Sequence, residues 1–461
     1  MHIAPEIFKA YDIRGIVDKT LTSDAVFAIG NILGKMAKEK NSQAIAVGRD
    51  GRLSGEKLQN ALINGILQAG VDVFLLGQVP TPMVYFAAHH LQCGSALALT
   101  GSHNPPEYNG LKMVIAGETL ASDAIQNILK DIQNGAFLTA ENPGKVQNIN
   151  IQKAYFERIT SDIHFEKKMN IAIDCGNGVA GAFAPALLEK LGAEITPLFC
   201  EVDGNFPNHH PDPSKLENLK DLQEYLKNSD CELGLAFDGD GDRLGVVLKN
   251  GNVIFPDRQL MLFAADILKR EKGATILFDV KCTRLLNHWI MAHGGKPLMW
   301  KTGHALIKQK LKETGAALAG EMSGHIFFKE RWFGFDDALY SAARLIEILS
   351  AFENPNAVLD NLPNAPSTPE LNIAMQEGEP FLLIEQLSAA AKNYFQNAEK
   401  IITIDGLRVE YKNGFGLIRA SNTTPVVVLR FEADDENALK AIQKDFRQIL
   451  KDLAPHLDVP F

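Results

Sequence analysis

A serine stands between a glycine and a pair of prolines in the segment TGSHNPPEYNG, residues 100–110. The apolar run 95–99 before it predicts a buried strand. Gly101 allows a sharp turn and the close approach of a ligand, whereas Pro105 and Pro106 favour a stiff loop over a helix. A hydroxyl on such a loop suits a nucleophile. A turn serine that bonds its own backbone is the alternative.

Three aspartates alternate with glycines in the segment DGDGDR, residues 238–243, which follows a strand predicted at 233–237. Alternate residues of an extended backbone face one side, so Asp238, Asp240 and Asp242 are expected to share a face. Three carboxylates this close repel one another unless a cation lies among them. Hard oxygen ligands suit Mg²⁺, which also accepts a phosphate oxygen. The sequence therefore predicts a magnesium site.

Two other kinds of acidic loop could carry this segment. A calcium EF-hand is excluded, because Arg243 and Lys249 stand where it needs glycine and glutamate. A haloacid-dehalogenase-type phosphatase also begins with a strand that runs into two aspartates, and it remains open. That interpretation leaves Asp242 and the Ser102 loop unexplained.

Two further polar segments have the composition of ligand-binding loops. In GEMSGH, residues 320–325, the period of two predicts that Glu321, Ser323 and His325 share a face. A glutamate can accept two hydrogen bonds and so suits vicinal sugar hydroxyls; a strand end with a satisfied glutamate is the alternative. In RASNTTP, residues 419–425, an arginine precedes short polar side chains, which favours a phosphate cradle over a polar hairpin loop. Four isolated cations, each of which alone is typical of a solvated surface, become candidate phosphate partners beside these loops: Arg14, Lys112, Lys281 and His304.

The elements that must position these loops follow a repeated pattern. A short apolar strand ending near an aspartate precedes an amphipathic helix three times, and these aspartates are Asp50, Asp174 and Asp279. Alternating strands and helices predict α/β domains with mixed, mostly parallel sheets. Beyond a proline-rich linker at 363–369, four strands and a closing helix at 436–453 predict a smaller α+β domain. We therefore expect four domains around a central cleft, at 1–148, 149–252, 253–364 and 365–461.

Length and charge limit the class of protein. The 461 residues exceed a single core, and the net charge of −10 argues against nucleic acid as a partner. We find no signal peptide and no window as apolar as a membrane span. The five cysteines form no paired motif, which predicts reduced, buried thiols and a cytoplasmic protein. A monomer is expected rather than a dimer.

Taken together, the four loops resemble the α-D-phosphohexomutase family, and within it the bacterial phosphomannomutase/phosphoglucomutase branch. The motifs TGSHNPP, DGDGDR, GEMSGH and RASNTTP stand in the family's order, and the similarity runs from Tyr11 to Thr424. The resemblance implies that Ser102 carries a phosphoryl group and, with the three aspartates, binds Mg²⁺. It also implies that Arg14, Lys112, Arg243 and His325 assist the transfer. Substrate binding is assigned by the same resemblance to Tyr11, Lys281, His304, Glu321, Ser323, Arg419, Ser421, Asn422 and Thr423.

The implied activity is the reversible interconversion of hexose 1-phosphates and 6-phosphates, with mannose and glucose both accepted. Its intermediate and activator would be glucose or mannose 1,6-bisphosphate, which turns over within the cleft. A methionine between Glu321 and Ser323 favours the mannose/glucose branch over phosphoglucosamine mutase. A sugar-phosphate phosphatase and a non-catalytic sensor of sugar phosphates are the rival hypotheses.

Overall fold

A computed structural model describes residues 3–422 and 424–461. The first module contains a seven-stranded sheet. Its strands are β1 (Ile13–Ile16), β2 (Ala44–Arg49), β3 (Asp72–Gln78), β4 (Ala96–Leu99), β5 (Tyr108–Ile115), β6 (Glu118–Thr119) and β7 (Val146–Asn148). Its helices are α1 (Ser23–Glu39), α2 (Gly55–Gln68), α3 (Thr81–His90) and α4 (Asp123–Gln133), with a 3₁₀ turn at Pro5–Ile7.

The second module contains a five-stranded sheet and the third a four-stranded one. The second module consists of α5 (Gln152–Thr160), β8 (Asn170–Asp174), α6 (Ala184–Lys190), β9 (Glu194–Leu198), α7 (Lys220–Asn228), β10 (Leu233–Phe237), β11 (Leu244–Leu248) and β12 (Val253–Ile254), with 3₁₀ turns at Val179–Ala182 and Leu216–Leu219. The third consists of α8 (Pro256–Arg270), β13 (Thr275–Asp279), α9 (Leu285–Ala292), β14 (Lys296–Trp300), α10 (His304–Thr314), β15 (Leu318–Gly320), β16 (Ile326–Phe328), α11 (Ala338–Ser350) and α12 (Pro355–Asp360).

The three modules share one strand topology. In each, a central strand (β2, β8 or β13) lies between two parallel neighbours, and one of those neighbours forms an antiparallel hairpin with the next strand. These hairpins are β4–β5, β10–β11 and β15–β16. The serine, acidic and GEMSGH loops are the three hairpin turns. The repeat predicted from the sequence thus places three chemical loops at equivalent points of three sheets.

The fourth module is built on an antiparallel sheet of β17 (Leu371–Ala374), β18 (Lys400–Ile402), β19 (Leu407–Tyr411), β20 (Gly414–Ala420) and β21 (Val426–Ala433), with helices α13 (Glu379–Tyr394) and α14 (Glu436–Leu453). The predicted α/β fold with a smaller α+β module is confirmed. The sequence pattern predicts α14 correctly but misses β17 and α13, since Gly378 and Pro380 resemble loop punctuation. Pro380 instead lies in the first turn of α13, where its missing N–H costs nothing.

One apolar core joins the first three modules. It contains residues of α3, of the second sheet and of α11, and its centre is a stack of aromatic rings. Trp332 lies 4.3 Å from Tyr340 and 5.9 Å from Phe86, ring centre to ring centre. The fourth module has a separate core between its sheet and the helices α13 and α14. The molecule is therefore a block of three modules with a shared core, to which the fourth is attached by a small apolar cluster of Val280, Phe415 and Leu417 and by polar contacts.

We propose domain boundaries at 148, 252 and 364, which separate the four sheets except at β12. That strand pairs with β11, so the second sheet extends through Ile254, two residues past the boundary at 252.

Candidate active site

Ser102 occupies the turn between β4 and β5 and is 1 % exposed. Its φ of 49° lies in the left-handed region, which is uncommon for a residue with a side chain. Its Oγ donates to Oδ2 of Asp238 at 3.2 Å and lies 3.1 Å from Nδ1 of His103. The hydroxyl thus faces the acidic loop of the second module. This is the placement that the nucleophile hypothesis needs, and it differs from that of a serine bonded to its own backbone.

The three aspartates of the acidic loop converge, but not through an extended backbone. Oδ1 of Asp238 accepts the backbone N–H groups of Gly241, Asp242 and Arg243 at 3.0, 3.0 and 3.1 Å. The chain therefore folds around Asp238, and Gly241 has a φ of 76° that permits the turn. The period-of-two argument is wrong here, because the strand ends before the first carboxylate.

Lys112 lies on β5, and its Nζ donates to Oδ2 of Asp240 at 2.8 Å and to Asp242. Burial would lower the pKa of Lys112, but these carboxylates raise it above its usual range. Burial, with the charges of Asp242 and Asp240, raises the pKa of Asp238. Burial would also raise the pKa of Asp242, yet Lys112 and His325 bring it well below its ordinary value. The loop therefore combines an ionised Asp242 with a buried Asp238 whose pKa is raised.

The donor set fits a divalent cation. The carboxylates of Asp238, Asp240 and Asp242 each offer an oxygen, and these oxygens lie within 4.8 Å of one another. Oδ1 of Asp240 is buried without a hydrogen-bond donor within the described chain, whereas Oδ1 of Asp242 lies 3.3 Å from Nε2 of His325. Unpaired buried carboxylate oxygens are costly unless something positive meets them. A metal site is therefore indicated.

His325 connects the acidic loop to the third module. Its Nε2 lies 3.3 Å from Oδ1 of Asp242, and its Nδ1 lies 3.1 Å from Oε2 of Glu321. Burial would lower the pKa of His325, but Asp242 and Glu321 raise it to about 9. Arg243 forms a β-bridge with His325, and its Nε lies 3.8 Å from Oδ2 of Asp238. The transfer end of the site is thus built by loops of all three α/β modules.

The GEMSGH loop is a tight turn and not an extended segment, so its period-of-two argument is wrong as well. The N–H of Gly324 donates to the carbonyl of Glu321 at 3.0 Å, and Oγ of Ser323 lies 3.0 Å from Nδ1 of His325. Oε1 of Glu321 accepts the N–H of Gly303 at 2.5 Å. His325 thus lies between the other two predicted sugar-binding side chains, Glu321 and Ser323.

The described part of the predicted phosphate loop of the fourth module, residues 419–425, lies beside Tyr11 and Thr302. Arg419 is 4 % exposed, and its Nε donates to Oδ2 of Asp405 at 3.1 Å. Asn422 donates from Nδ2 to the hydroxyl of Tyr11, and that hydroxyl donates to the carbonyl of Thr302 at 2.8 Å. Oγ of Ser421 lies 3.1 Å from Oγ1 of Thr424. Thr423 lies outside the described residues.

Of the remaining predicted cations, Lys281 and His304 are buried and Arg14 is partly buried. Arg14 donates to Asp12 and to Asn104 of the serine loop, each at 2.5 Å. Lys281 donates to Oε1 of Glu370 at 2.6 Å, across the contact between the third and fourth modules. His304 begins α10, where burial and then Lys308 bring its pKa well below the ordinary value. None of the three is the solvated surface charge that was the alternative.

Sequence reasoning gave no role to two residues beside Ser102 and the acidic loop, the partly buried His103 and the buried Thr81. His103 was quoted within the serine motif but given no role; its imidazole lies beside Oγ of Ser102, and burial together with Arg243 lowers its pKa well below the usual value. Thr81 begins α3 and donates from Oγ1 to Oδ2 of Asp240 at 2.6 Å. No local pattern distinguishes Thr81 from other helix-start threonines.

The chain matches family models over four successive segments. They describe the alpha/beta/alpha domains I, II and III and the C-terminal domain of phosphoglucomutase/phosphomannomutase, at residues 5–139, 153–251, 255–364 and 370–449. The chain belongs to this family. Family membership confirms an isomerase that acts on hexose phosphates, as the sequence predicts.

Relatives support the same assignment over the whole length. The chain is 58 % identical to a phosphoglucomutase of Neisseria gonorrhoeae over 459 residues, which is 99 % of each chain. It is 54 % identical to a phosphomannomutase/phosphoglucomutase of Pseudomonas aeruginosa, covering 99 % of this chain and 97 % of that one. A crystal structure of a phosphoglucomutase/phosphomannomutase family protein from Burkholderia thailandensis superposes with a TM-score of 0.94 at 52 % identity, covering all of both chains.

Within the described residues, no helix has the length and apolar character needed to cross a membrane. The five cysteines are free, and Cys93 and Cys200 are partly exposed, so the prediction of buried thiols is correct for Cys175, Cys231 and Cys282 only.

Proposed function

We propose that this family member interconverts hexose 1-phosphates and 6-phosphates of mannose and glucose by carrying the phosphoryl group on Ser102. The observation that supports this most directly is the contact of Oγ of Ser102 with Asp238, inside a buried acidic cluster in which Oδ1 of Asp240 has no hydrogen-bond donor within the described chain. Phosphoryl transfer depends chiefly on positioning and on charge neutralisation, and this site supplies both.

In the first transfer the bond between phosphorus and Oγ of Ser102 breaks, and a bond to a sugar hydroxyl oxygen forms. The sugar hydroxyl loses its proton, and the serine oxygen regains one as the group departs. The side chains placed to move protons or to meet the phosphoryl charge are Arg14, Lys112, Arg243 and His325. Although burial opposes it, the charges of Asp242 and Glu321 raise the pKa of His325 to about 9 and so favour its protonated form.

We propose Mg²⁺ as the ion held by Asp238, Asp240, Asp242 and an oxygen of phosphorylated Ser102, since hard oxygen donors match its preference. When bound, the ion would neutralise charge on the group being transferred. Lys112 supplies part of the same neutralisation from the protein, through its contacts with Asp240 and Asp242.

The non-transferring phosphate is assigned to the loop of the fourth module. Arg419 and Lys281 are buried cations now paired with Asp405 and Glu370, and a phosphate dianion would compete for both. Tyr11 and His304 line the same end. The remaining donors are the short side chains of the RASNTTP loop, Ser421, Asn422 and Thr423.

In this scheme Ser102 transfers a phosphoryl group at one end of the site, and the loop of the fourth module holds the other phosphate. The 1,6-bisphosphate must therefore reverse its orientation between the two transfers. Glu321 and Ser323 would hold the sugar O3 and O4, whose contacts can be exchanged between the two orientations. Recognition that ignores C2 accepts mannose and glucose alike. The same scheme explains glucose 1,6-bisphosphate as the activator that primes Ser102. The monomeric state, the cytoplasmic location and the absence of nucleic-acid and membrane partners stay predictions.

The experiment is to incubate the enzyme with glucose 1,6-bisphosphate and map the added phosphate by mass spectrometry. We expect it on Ser102, and we expect the Ser102→Ala enzyme to lose both the label and nearly all mutase activity, by at least about 10³-fold. Ser161→Ala, at an exposed position of the second module, is the matched control. Phosphate on Asp238 would contradict the proposal. Release of inorganic phosphate without isomer formation would favour a phosphatase.

A further inference from the structure

We propose that Arg52 is a positioning residue for phosphoryl transfer, whose guanidinium holds the Ser102 loop at the distance from Asp238 that the reaction needs. The inference rests on the proposed role of Ser102. Arg52 follows β2, lies outside the four chemical motifs and is 1 % exposed.

The guanidinium of Arg52 binds four backbone carbonyls of the serine loop. Its NH2 group donates to the carbonyls of Ser102 and Asn104 at 2.9 and 2.5 Å. Its NH1 group donates to those of Pro105 and Tyr108 at 2.5 and 3.0 Å. The prolines remove two N–H donors from this segment. The N–H of Tyr108 donates to the carbonyl of Pro105 at 3.0 Å, and the Arg52 guanidinium supplies a donor to the carbonyls of Ser102, Asn104 and Tyr108. The Arg52 side chain therefore supplies these carbonyls with the hydrogen bonds that a strand or helix would otherwise provide.

Asp50, one residue past β2, holds the loop on the other side of the serine. Its Oδ2 accepts Nε of Arg52 at 3.2 Å, the hydroxyl of Thr100 at 2.8 Å and the N–H of Gly101 at 3.1 Å. Asp50 is 2 % exposed, so these bonds are shielded from water. The Asp50–Arg52 pair thus grips the backbone immediately before and after Ser102.

These hydrogen bonds can stabilise the backbone conformation of Ser102. A left-handed conformation at a residue with a side chain is strained and persists only where neighbours enforce it. Ser102 has that conformation. Gly101 makes room for the arginine, since a Cβ there would lie 2.4 Å from Cζ of Arg52.

Arg52 also fixes the loop against the second module, which carries the aspartates. The ring of Phe206 lies 5.2 Å from Cζ of Arg52. A Cβ on Gly204 would lie 2.9 Å from Cα of Arg52, and one on Gly239 would lie 2.4 Å from the carbonyl oxygen of Ser102. These backbones are in close contact, so displacement of Arg52 would change the separation of Ser102 from the acidic loop.

The decisive variant is Arg52→Lys, which keeps the charge but has no planar fork to serve four carbonyls. Arg49→Lys is the matched control, because Arg49 contacts only the carbonyl of Asp50 in this region, at 3.4 Å. For both variants we would measure kcat, KM, the rate at which Ser102 is phosphorylated by glucose 1,6-bisphosphate, and the thermal unfolding midpoint.

We expect Arg52→Lys to lower kcat and the phosphorylation rate by about 10²-fold, the effect of a displacement near 1 Å. KM should change less than threefold, and the control should match wild type. Rates are normalised to the folded fraction, so lost stability alone cannot produce this split. Phosphorylation of Ser102 at the wild-type rate in Arg52→Lys would overturn the inference alone. A wild-type enzyme phosphorylated elsewhere would overturn the proposed function itself.

Discussion

At the residue scale, the surroundings of two buried carboxyl groups shift their pKa values in opposite directions. Asp242 is kept ionised by Lys112 and His325, whereas Asp337, the N-cap of α11, is buried in the shared aromatic core. Burial raises the pKa of Asp337 to about 7, although the N–H of Tyr340 and the hydroxyl of Tyr155 oppose the rise. The pKa of Asp242 falls because the neighbouring cations outweigh its burial, and that of Asp337 rises because burial outweighs its hydrogen bonds.

Asp337 yields a prediction about stability and pH. Its folded pKa of about 7 exceeds the unfolded value near 3.9, so the folded state binds the extra proton between these values. The contribution of Asp337 to the free energy of unfolding therefore falls as pH rises from about 4 to about 7, and then levels off. In Asp337→Asn this fall should be absent, so the variant should gain roughly 2–4 kcal/mol relative to wild type between pH 5 and pH 8.

Urea unfolding of both proteins at several pH values measures this difference. Asp230→Asn, at an exposed position, is the control and should show no such trend. A difference between Asp337→Asn and wild type that does not vary with pH would contradict the assignment.

At the element scale, the sequence predicts which loops carry the candidate site residues better than it predicts the backbone conformation of those loops. The motifs and the repeated strand–helix pattern correctly place Ser102, Asp238 and Glu321 at strand ends. The backbone between alternate residues could not be predicted, because a turn and an extended strand can bring the same side chains together. The role of Arg52 could not be predicted for a related reason. Its guanidinium binds backbone carbonyls, and every residue has a carbonyl, so the sequence does not show which of them it binds.

The crossing of α1 and α2 gives a prediction at the same scale. A Cβ on Gly65 would lie 2.1 Å from the carbonyl oxygen of Phe27, so the helices touch backbone to backbone. Gly65→Ala should lower the free energy of unfolding by about 1–3 kcal/mol despite the better helix propensity of alanine. Asn64→Ala, one position earlier and exposed, should be neutral or slightly stabilising. Urea midpoints measure both, and equal effects would exclude steric overlap as the cause.

At the scale of the whole molecule, the contacts between modules are of two kinds. The first three modules share an extended apolar core, whereas the fourth joins them through a small apolar cluster of Val280, Phe415 and Leu417 and through buried polar contacts. Arg408, for example, donates to the carbonyls of Val280 and Cys282 at 2.5 and 2.8 Å. Polar contacts can be exchanged for water at lower cost than an apolar core can be opened, so the fourth module is the part expected to open for substrate.

The bond from Asn422 to Tyr11 closes the fourth module onto the first. Tyr11→Phe removes this acceptor and the bond to Thr302, at a cost of about 1 kcal/mol per bond. We expect KM for glucose 1-phosphate to rise roughly fivefold or more, with faster hydrogen exchange in residues 419–422. Tyr411→Phe is the control, because its hydroxyl contacts Asp445 inside the fourth module. Unchanged exchange in Tyr11→Phe would show that this bond does not hold the module closed.

The ammonium of Lys112 lies between Asp240 and Asp242 as an internal counterion. A loop whose carboxylates are balanced by a divalent ion alone loses its structure when the ion leaves. Here the Lys112 ammonium still balances part of the carboxylate charge without the ion. Chelation should therefore silence the enzyme while its acidic loop keeps its shape. If the acidic loop binds Mg²⁺ as proposed, the ion could leave and return between catalytic cycles without refolding of the loop.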